Sequence, residues 1–227
     1  MPYVFEPAAP VALPVKDSDQ TFPVRRIYCV GRNFADHAIE MGHDPDRDPP
    51  FFFQKNPDNL VTDGKFPYPV ASNDVHHEIE LIVCLGKGGK DIAVEDALSH
   101  VYGYAVGLDM TRRDLQGEAK KLGRPWEVGK AFEKSAPISA VVPAEKAGHP
   151  SAGAIRLVVN GKVRQDGDIN QMIWKVPEAI SYLSGLFTLA PGDLIMTGTP
   201  AGVAAVVRGD VLEGHVEGVG DLTVEVV

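Results

Sequence analysis

Cysteine is nearly absent from this 227-residue chain: Cys29 and Cys84 are the only two, each inside an apolar, strand-like run. With no secretory leader, such a pair reads as two buried thiols rather than a disulfide. Neither has a neighbouring histidine in sequence to activate it as a nucleophile. Also missing is any stretch of about 18 apolar residues, which excludes a membrane-spanning helix. Positive charge is scarce and scattered, with 22 Lys and Arg against 31 Asp and Glu and a formal net charge of -9. That leaves no electrostatic footprint for nucleic acid or an anionic membrane surface. The chain opens without a basic start or a long apolar segment, so no signal peptide and a cytoplasmic location are expected. Nor is there a stretch with the Ser-rich, Gly-rich or repetitive composition of an interdomain linker. One compact domain over residues 23–227 is therefore expected, preceded by an extended arm over residues 1–22 that carries Pro2, Pro7, Pro10 and Pro14. Serine nucleophile elbows, HExxH and paired CxxC motifs are absent, and Gly86-Lys87-Gly88-Gly89-Lys90 lacks Walker spacing and reads as a turn between strands.

Short strands dominate what is present. Residues 26–30 read as a strand that Gly31 breaks, followed by helical spacing over residues 33–41 and a polar loop rich in Pro and Asp over residues 42–50 that could serve as a lid. Phe51-Phe52-Phe53 is a buried-strand candidate, and residues 65–75, with Pro67 and Pro69, read as extended and irregular. Helices are expected over residues 93–100, 112–122 and 177–186, and Asn160-Gly161 between apolar alternations predicts a hairpin. Gly-Asp turns at Gly192, Gly209 and Gly220 punctuate several short strands towards the end of the chain. The fold class is α+β and strand-dominated, without the regular alternation of a Rossmann or TIM architecture.

The richest chemistry lies in His76-His77-Glu78-Ile79-Glu80, which runs into Leu81-Ile82-Val83-Cys84-Leu85. Strand side chains alternate, so Glu78 and Glu80 point the same way with Cα atoms roughly 7 Å apart. Either a cation sits between the two charges or the pair faces water. The base rate for glutamate favours water, while the apolar run that follows argues for a strand covered on both faces. Asp109 closes a strand before a helix, where it would be an N-cap or a third carboxylate. Three carboxylates meeting there would suit Mg²⁺ or Mn²⁺, with Ca²⁺ admissible, rather than Zn²⁺. His76 and His77 would line this region or contact solvent. His37 and Glu40, three residues apart, share a helix face as a surface ion pair or as a dyad in which the carboxylate orients a general base. Lys130 follows Gly129, which permits close backbone approach, and is either a solvated lysine or an inward one able to neutralise an oxyanion. Thr197-Gly198-Thr199-Pro200-Ala201-Gly202 is a tight turn that would present N–H groups and a hydroxyl, or be a turn and nothing more.

Several of these segments occur in an order that resembles the fumarylacetoacetate hydrolase superfamily, in its short form without the larger N-terminal domain. The carriers are Tyr28-Cys29-Val30-Gly31-Arg32-Asn33-Phe34-Ala35-Asp36-His37, His77-Glu78-Ile79-Glu80, Gly107-Leu108-Asp109-Met110-Thr111-Arg112-Arg113-Asp114, Pro125-Trp126-Glu127-Val128-Gly129-Lys130 and Ile195-Met196-Thr197-Gly198-Thr199-Pro200-Ala201-Gly202-Val203. The resemblance implies a mixed β-roll with peripheral short helices, a homodimer, and Glu78, Glu80 and Asp109 as ligands of one divalent cation. It further implies His37 and Glu40 as a catalytic dyad on a lid, and Lys130, Gln116 and Thr199 as substrate-side groups. Within the superfamily, Pro50-Phe51-Phe52-Phe53-Gln54-Lys55 and Arg124-Pro125-Trp126-Glu127-Val128-Gly129-Lys130-Ala131-Phe132 are most similar to fumarylpyruvate hydrolases of gentisate-type aromatic degradation, although Asn56 stands where such chains often carry Pro. The implied activity is hydrolytic C–C cleavage of a small anionic 3-acylpyruvate to fumarate and pyruvate, with Arg32, Arg113 or Lys55 receiving the remote carboxylate. Oxaloacetate decarboxylation, or isomerisation or decarboxylation of a hydroxydienoate, is the alternative implied by the same site.

Overall fold

The computed structural model describes residues 2–35 and 48–227. Its two principal sheets are built from β1 (Arg26–Gly31), β2 (Phe51–Lys55), β3 (Lys65–Phe66), β4 (Ile79–Leu85), β5 (Val101–Leu108), β6 (Val142–Pro143), β7 (Ala154–Val159), β8 (Lys162–Asp168), β9 (Asp193–Met196), β10 (Val211–Val216) and β11 (Gly220–Val226). A six-stranded mixed sheet has the order β6-β5-β4-β9-β1-β2, in which β9 and β1 are parallel and the other neighbours antiparallel. A five-stranded sheet follows the order β8-β7-β10-β11-β3. Short helices sit at the periphery, and the result is the strand-dominated mixed β-roll that the resemblance implied.

Strand parity explains the packing. Every residue of β4 is buried. Leu81, Val83 and Leu85 join the larger apolar cluster with Ile155, Leu157, Leu212, Val216 and Val224 of the other sheet. Ile82 and Cys84, on the opposite face, join Leu13, Phe22, Ile27, Leu60 and Leu194 in a second cluster. Each such aliphatic side chain contributes roughly 1.5–3 kcal/mol by leaving water. The N-terminal segment helps cover the second cluster: Ala12–Pro14 pairs with Thr21–Pro23, which buries Leu13 and Phe22, while residues 2–10 stay exposed.

Locally encoded elements appear where the sequence places them. Asn160 and Gly161, at φ 50° and 74°, form the turn of the β7-β8 hairpin with the left-handed backbone that a tight two-residue turn requires. The expected helices are α1 (Arg113–Lys121), a longer helix over Val176–Leu186 and a 3₁₀ helix over Val94–His100. One expectation needs correction. Phe51, Phe52 and Phe53 form a strand but are only partly buried, because β2 is the edge of its sheet. Residues 65–75, expected to be extended and irregular, are so between two short pairings, of Lys65–Phe66 with β11 and of Val75–His76 with Thr111–Arg112. Most of the expected helix over 33–41 and of the loop over 42–50 lies outside the described residues.

Pairing directions decide where function can reside. Ile79 lies opposite Leu108, Met196 opposite Ile82 and beside Cys29, and Gly31 opposite Phe51. One end of the six-stranded sheet therefore gathers the starts of β2 and β4 with the ends of β1, β5 and β9. Glu78, Glu80, Asp109 and the turn that begins at Thr197 all stand at that end.

Candidate active site

Glu78 precedes β4 and Glu80 is its second residue, so both continue the face that carries Ile82 and Cys84. Asp109 follows the last residue of β5, beside them. One oxygen from each of the three carboxylates lies within 4.8 Å of the others. Glu78 is 6%, Glu80 2% and Asp109 0% exposed, so the solvated-strand-end and N-cap readings both fail. Burial, reinforced by the charges of Asp109 and Glu78, pushes the Glu80 carboxyl well above the usual carboxylate range.

Three cations already bear on this cluster. Lys130 Nζ donates to Glu78 Oε2 at 2.8 Å, Asp109 Oδ2 at 2.6 Å and Thr111 Oγ1 at 2.7 Å. Burial would lower the Lys130 ammonium, but the charges of Asp109 and Glu78 outweigh it and hold the group above its ordinary value. Arg113 Nη2 donates to Glu78 Oε1 at 2.5 Å, and Lys55 Nζ lies 2.9 Å from Asp109 Oδ1. Glu80 Oε2 accepts the Gly198 N–H at 2.8 Å. Asp109 Oδ1 is buried, and the Lys55 ammonium is its ion-pair partner. The donor set itself, three buried carboxylates each offering an oxygen within 4.8 Å of the others, fits a hard divalent cation of the Mg²⁺ or Mn²⁺ kind.

The cleft above the carboxylates is lined by Arg32, Phe53, Arg113, Gln116, Lys120, Trp126, Lys130, Gly198 and Thr199. Arg113, Gln116 and Lys120 are spaced to share one face of α1, and Arg113 Nη1 donates to Gln116 Oε1 at 2.8 Å. Gly129 makes the approach of α2 (Glu127–Lys130) possible, because a Cβ there would stand 2.9 Å from the Gln116 backbone nitrogen. That contact places Lys130 over the carboxylates. Thr199 Oγ1 accepts from Gln165 Nε2 at 2.8 Å.

The structure thus brings Arg32, Glu78, Glu80, Asp109, Arg113, Gln116, Lys130 and Thr199 to one cleft. Lys55 departs from expectation. Its side chain is fully buried, bonded to Ser135 Oγ at 2.9 Å, the Met110 carbonyl at 3.3 Å and the Lys130 carbonyl, and so it braces Asp109 from behind instead of reaching a substrate. His77 departs too: it is 1% exposed and away from the cleft, and burial takes its pKa down to about 4. His37 and Glu40 lie outside the described residues.

Sequence reasoning missed four residues. Gln165, fully buried, holds the turn together: its Oε1 accepts from His77 Nδ1 and from the Ile79 N–H, while its Nε2 also donates to the Pro200 carbonyl at 2.8 Å. Asn33 ties the end of β1 to the Thr197 carbonyl at 2.7 Å and to both backbone groups of Trp174. Lys120 and Trp126 complete the cleft wall, with Lys120 Nζ 4.9 Å from the Trp126 ring centroid. Helical spacing from Arg113 and Gln116 was the available signal for Lys120; Gln165 and Asn33 gave none.

Comparison with known proteins agrees with this geometry. Residues 26–227 match the fumarylacetoacetate (FAA) hydrolase C-terminal family. The chain is similar to the crystal structure of a fumarylpyruvate hydrolase from Pseudomonas aeruginosa in complex with Mn²⁺ and pyruvate, at 56% identity and a TM-score of 0.97, covering 100% of this chain and 99% of that one. A fumarylpyruvate hydrolase from Ralstonia sp is 45% identical over 78% of this chain and 92% of its own. The mitochondrial oxaloacetate tautomerase of Rattus norvegicus is 44% identical over 86% of this chain and 88% of its own.

Proposed function

The chain belongs to the fumarylacetoacetate hydrolase family, and from that premise we propose that it is a divalent-metal-dependent hydrolase of 3-acylpyruvates that cleaves 3-fumarylpyruvate to fumarate and pyruvate. The observation that carries this reading is the buried cluster of Glu78, Glu80 and Asp109 with Lys130 bonded to two of its members. Three carboxylates face Lys55, Lys130 and Arg113, so the set is close to neutral by itself. A divalent ion leaves it with two positive charges, matched to a dianionic substrate.

Bound to Glu78, Glu80 and Asp109, the cation supplies Lewis-acid polarisation of a 2-oxo acid. The protein's own groups account for the remaining requirements. His37, oriented by Glu40, takes a proton from the water that attacks the acyl carbonyl. The bond between that carbonyl carbon and the methylene of the pyruvyl unit then breaks, and the electron pair leaves with pyruvate as its enolate. Lys130, kept protonated by Asp109 and Glu78, sets its positive charge beside the oxygen where this charge grows, so its contribution increases towards the transition state. Thr199, Gln116 and Arg113 hold the 2-oxo acid, and protonation of the methylene carbon completes pyruvate.

Oxaloacetate decarboxylation or hydroxydienoate isomerisation is a second reading, favoured by the 42% identity to a mitochondrial oxaloacetate decarboxylase of Dictyostelium discoideum over 86% of this chain and 89% of that one. Those reactions need no attacking water. Replacing His37→Ala or Glu40→Gln separates the two: acylpyruvate hydrolysis should be lost and oxaloacetate decarboxylation retained, whereas equal survival of both would remove the dyad from the mechanism. The same proposal carries a cytoplasmic homodimer acting in gentisate-type aromatic catabolism, and light scattering on the purified chain tests the dimer directly.

A further inference from the structure

Two cations of the cleft have no ion-pair partner among the described residues. Arg113, Lys130 and Lys55 are bonded to the carboxylate cluster. Lys120 and Arg32 are not: each instead lies over an aromatic ring, Lys120 at 4.9 Å from Trp126 and Arg32 at 5.4 Å from Phe51. The two rings pack edge to face with centroids 5.2 Å apart. Two edge-to-face rings therefore support two positive charges that line the cleft outside the carboxylate cluster, near enough for the charge of Arg32 to bear on Lys120.

Aromatic support holds a cation in place while leaving its charge unneutralised. Arg32 has φ 55°, a left-handed backbone uncommon for a side-chain-bearing residue, which fixes the direction in which its guanidinium leaves β1. Lys120 is half-buried, and burial together with the charges of Arg113 and Arg32 brings its pKa down to about 8. An anion beside it would offset that cost.

We propose that Lys120, seated on Trp126 and assisted by Arg32, is the specificity-determining residue that receives the distal carboxylate of a long 2-oxo dicarboxylic acid. This rests on the acylpyruvate reading; of Arg32, Arg113 and Lys55 it keeps Arg32, sets aside Arg113 and Lys55 because both are paired with the carboxylate cluster, and adds Lys120. Together Lys120 and Arg32 select for substrates carrying a second carboxylate beyond the acyl carbonyl, and leave acyl groups without one unrecognised at that end.

Two measurements on the full chain with Mn²⁺ separate this assignment from the reaction itself. In the first, binding of 2-oxoheptanedioate and 2-oxoheptanoate, equal in length and differing in the distal carboxylate, is compared by calorimetry. The unmodified protein should prefer the diacid by about tenfold or more. Lys120→Met and Lys120→Gln should abolish that preference, and Lys120→Arg should retain it. In the second, KM for 3-fumarylpyruvate should rise about tenfold or more in Lys120→Met, with kcat and the kcat/KM for acetylpyruvate nearly unchanged. Failure of the unmodified protein to cleave either acylpyruvate would sink the proposed reaction while the binding series still judges the subsite. No diacid preference in the unmodified protein, or an undiminished preference in both Lys120→Met and Lys120→Gln, would overturn the assignment. Should Lys120→Met not fold, Lys120→Gln and Lys120→Arg decide the outcome by the same comparison.

Discussion

Lys130 is the residue whose removal should be felt most broadly. It is 2% exposed and bonded to Glu78, Asp109 and Thr111, so Lys130→Met would leave two buried carboxylates without their shared cation. Breaking such a pair costs about 3–5 kcal/mol, and chemical denaturation of the metal-free variant should show that loss. Added Mn²⁺ should recover part of the stability, since it neutralises the same carboxylates, but kcat should remain lower by about a hundredfold or more because the growing enolate loses the neighbouring positive charge. Lys120 makes a prediction in pH. Its pKa is about 8, set by burial, with Arg113, Arg32 and Lys130 lowering it further and Glu78 opposing. The ammonium is charged below that value and neutral above it, so KM for 3-fumarylpyruvate should climb as pH rises through about 8. Lys120→Arg keeps the charge and should flatten the climb, which a KM series across that range checks. Gln165 is structural by the same criteria. Gln165→Leu strands the Ile79 N–H and the His77 ring, and should lower the urea midpoint by the equivalent of about 2–4 kcal/mol with an unchanged slope.

At the scale of elements, the turn from Met196 to Pro200 is the least tolerant of change. Gly198 has φ 95°, and a Cβ there would come within 2.8 Å of the Asn33 Cβ, while its N–H is the donor to Glu80. Gly198→Ala should therefore weaken Mn²⁺ binding by about tenfold or more, measurable by calorimetry, because the donor that orients Glu80 moves. What could be read in advance divides along a physical line. Features set by nearest neighbours were legible: the Asn160-Gly161 hairpin, the helix over residues 113–121, and the same-face parity of Glu78 and Glu80. Features set by distant pairing were not. Phe51 to Phe53 carry the composition of a core strand, and only the sheet order reveals them as an edge. Lys55 reads as a candidate receiver of a remote carboxylate until β2 pairing turns it towards Asp109 and Ser135. Gln165 sits in a hairpin strand with nothing local to mark it, 34 residues from the threonine it orients. Asp109 lies between these cases, since its position at a strand end was visible while its union with Glu78 and Glu80 needed either the β4-β5 register or the family resemblance.

For the whole molecule, the architecture gathers positive charge at one cleft of a chain whose formal charge is -9. Most acidic groups are dispersed, and the sheet end concentrates Lys130, Arg113, Lys120 and Arg32 at one cleft. Both faces of the six-stranded sheet are apolar clusters, so the carboxylates at its end are held on a rigid base. A cation that binds the folded state alone should stabilise it by about 2.7 kcal/mol at one hundred times its Kd, which for a chain of this size raises Tm by about 5–10 °C. Thermal unfolding with and without Mn²⁺ checks this, and Glu80→Gln should diminish the shift. The central claim is tested most directly by following fumarate and pyruvate release from 3-fumarylpyruvate after chelation and again after adding Mg²⁺ or Mn²⁺. The account predicts stoichiometric release of both products, lost on chelation and restored by the metal. Turnover that survives complete chelation, or an inability to cleave 3-fumarylpyruvate, maleylpyruvate or acetylpyruvate in the presence of either ion, would contradict it.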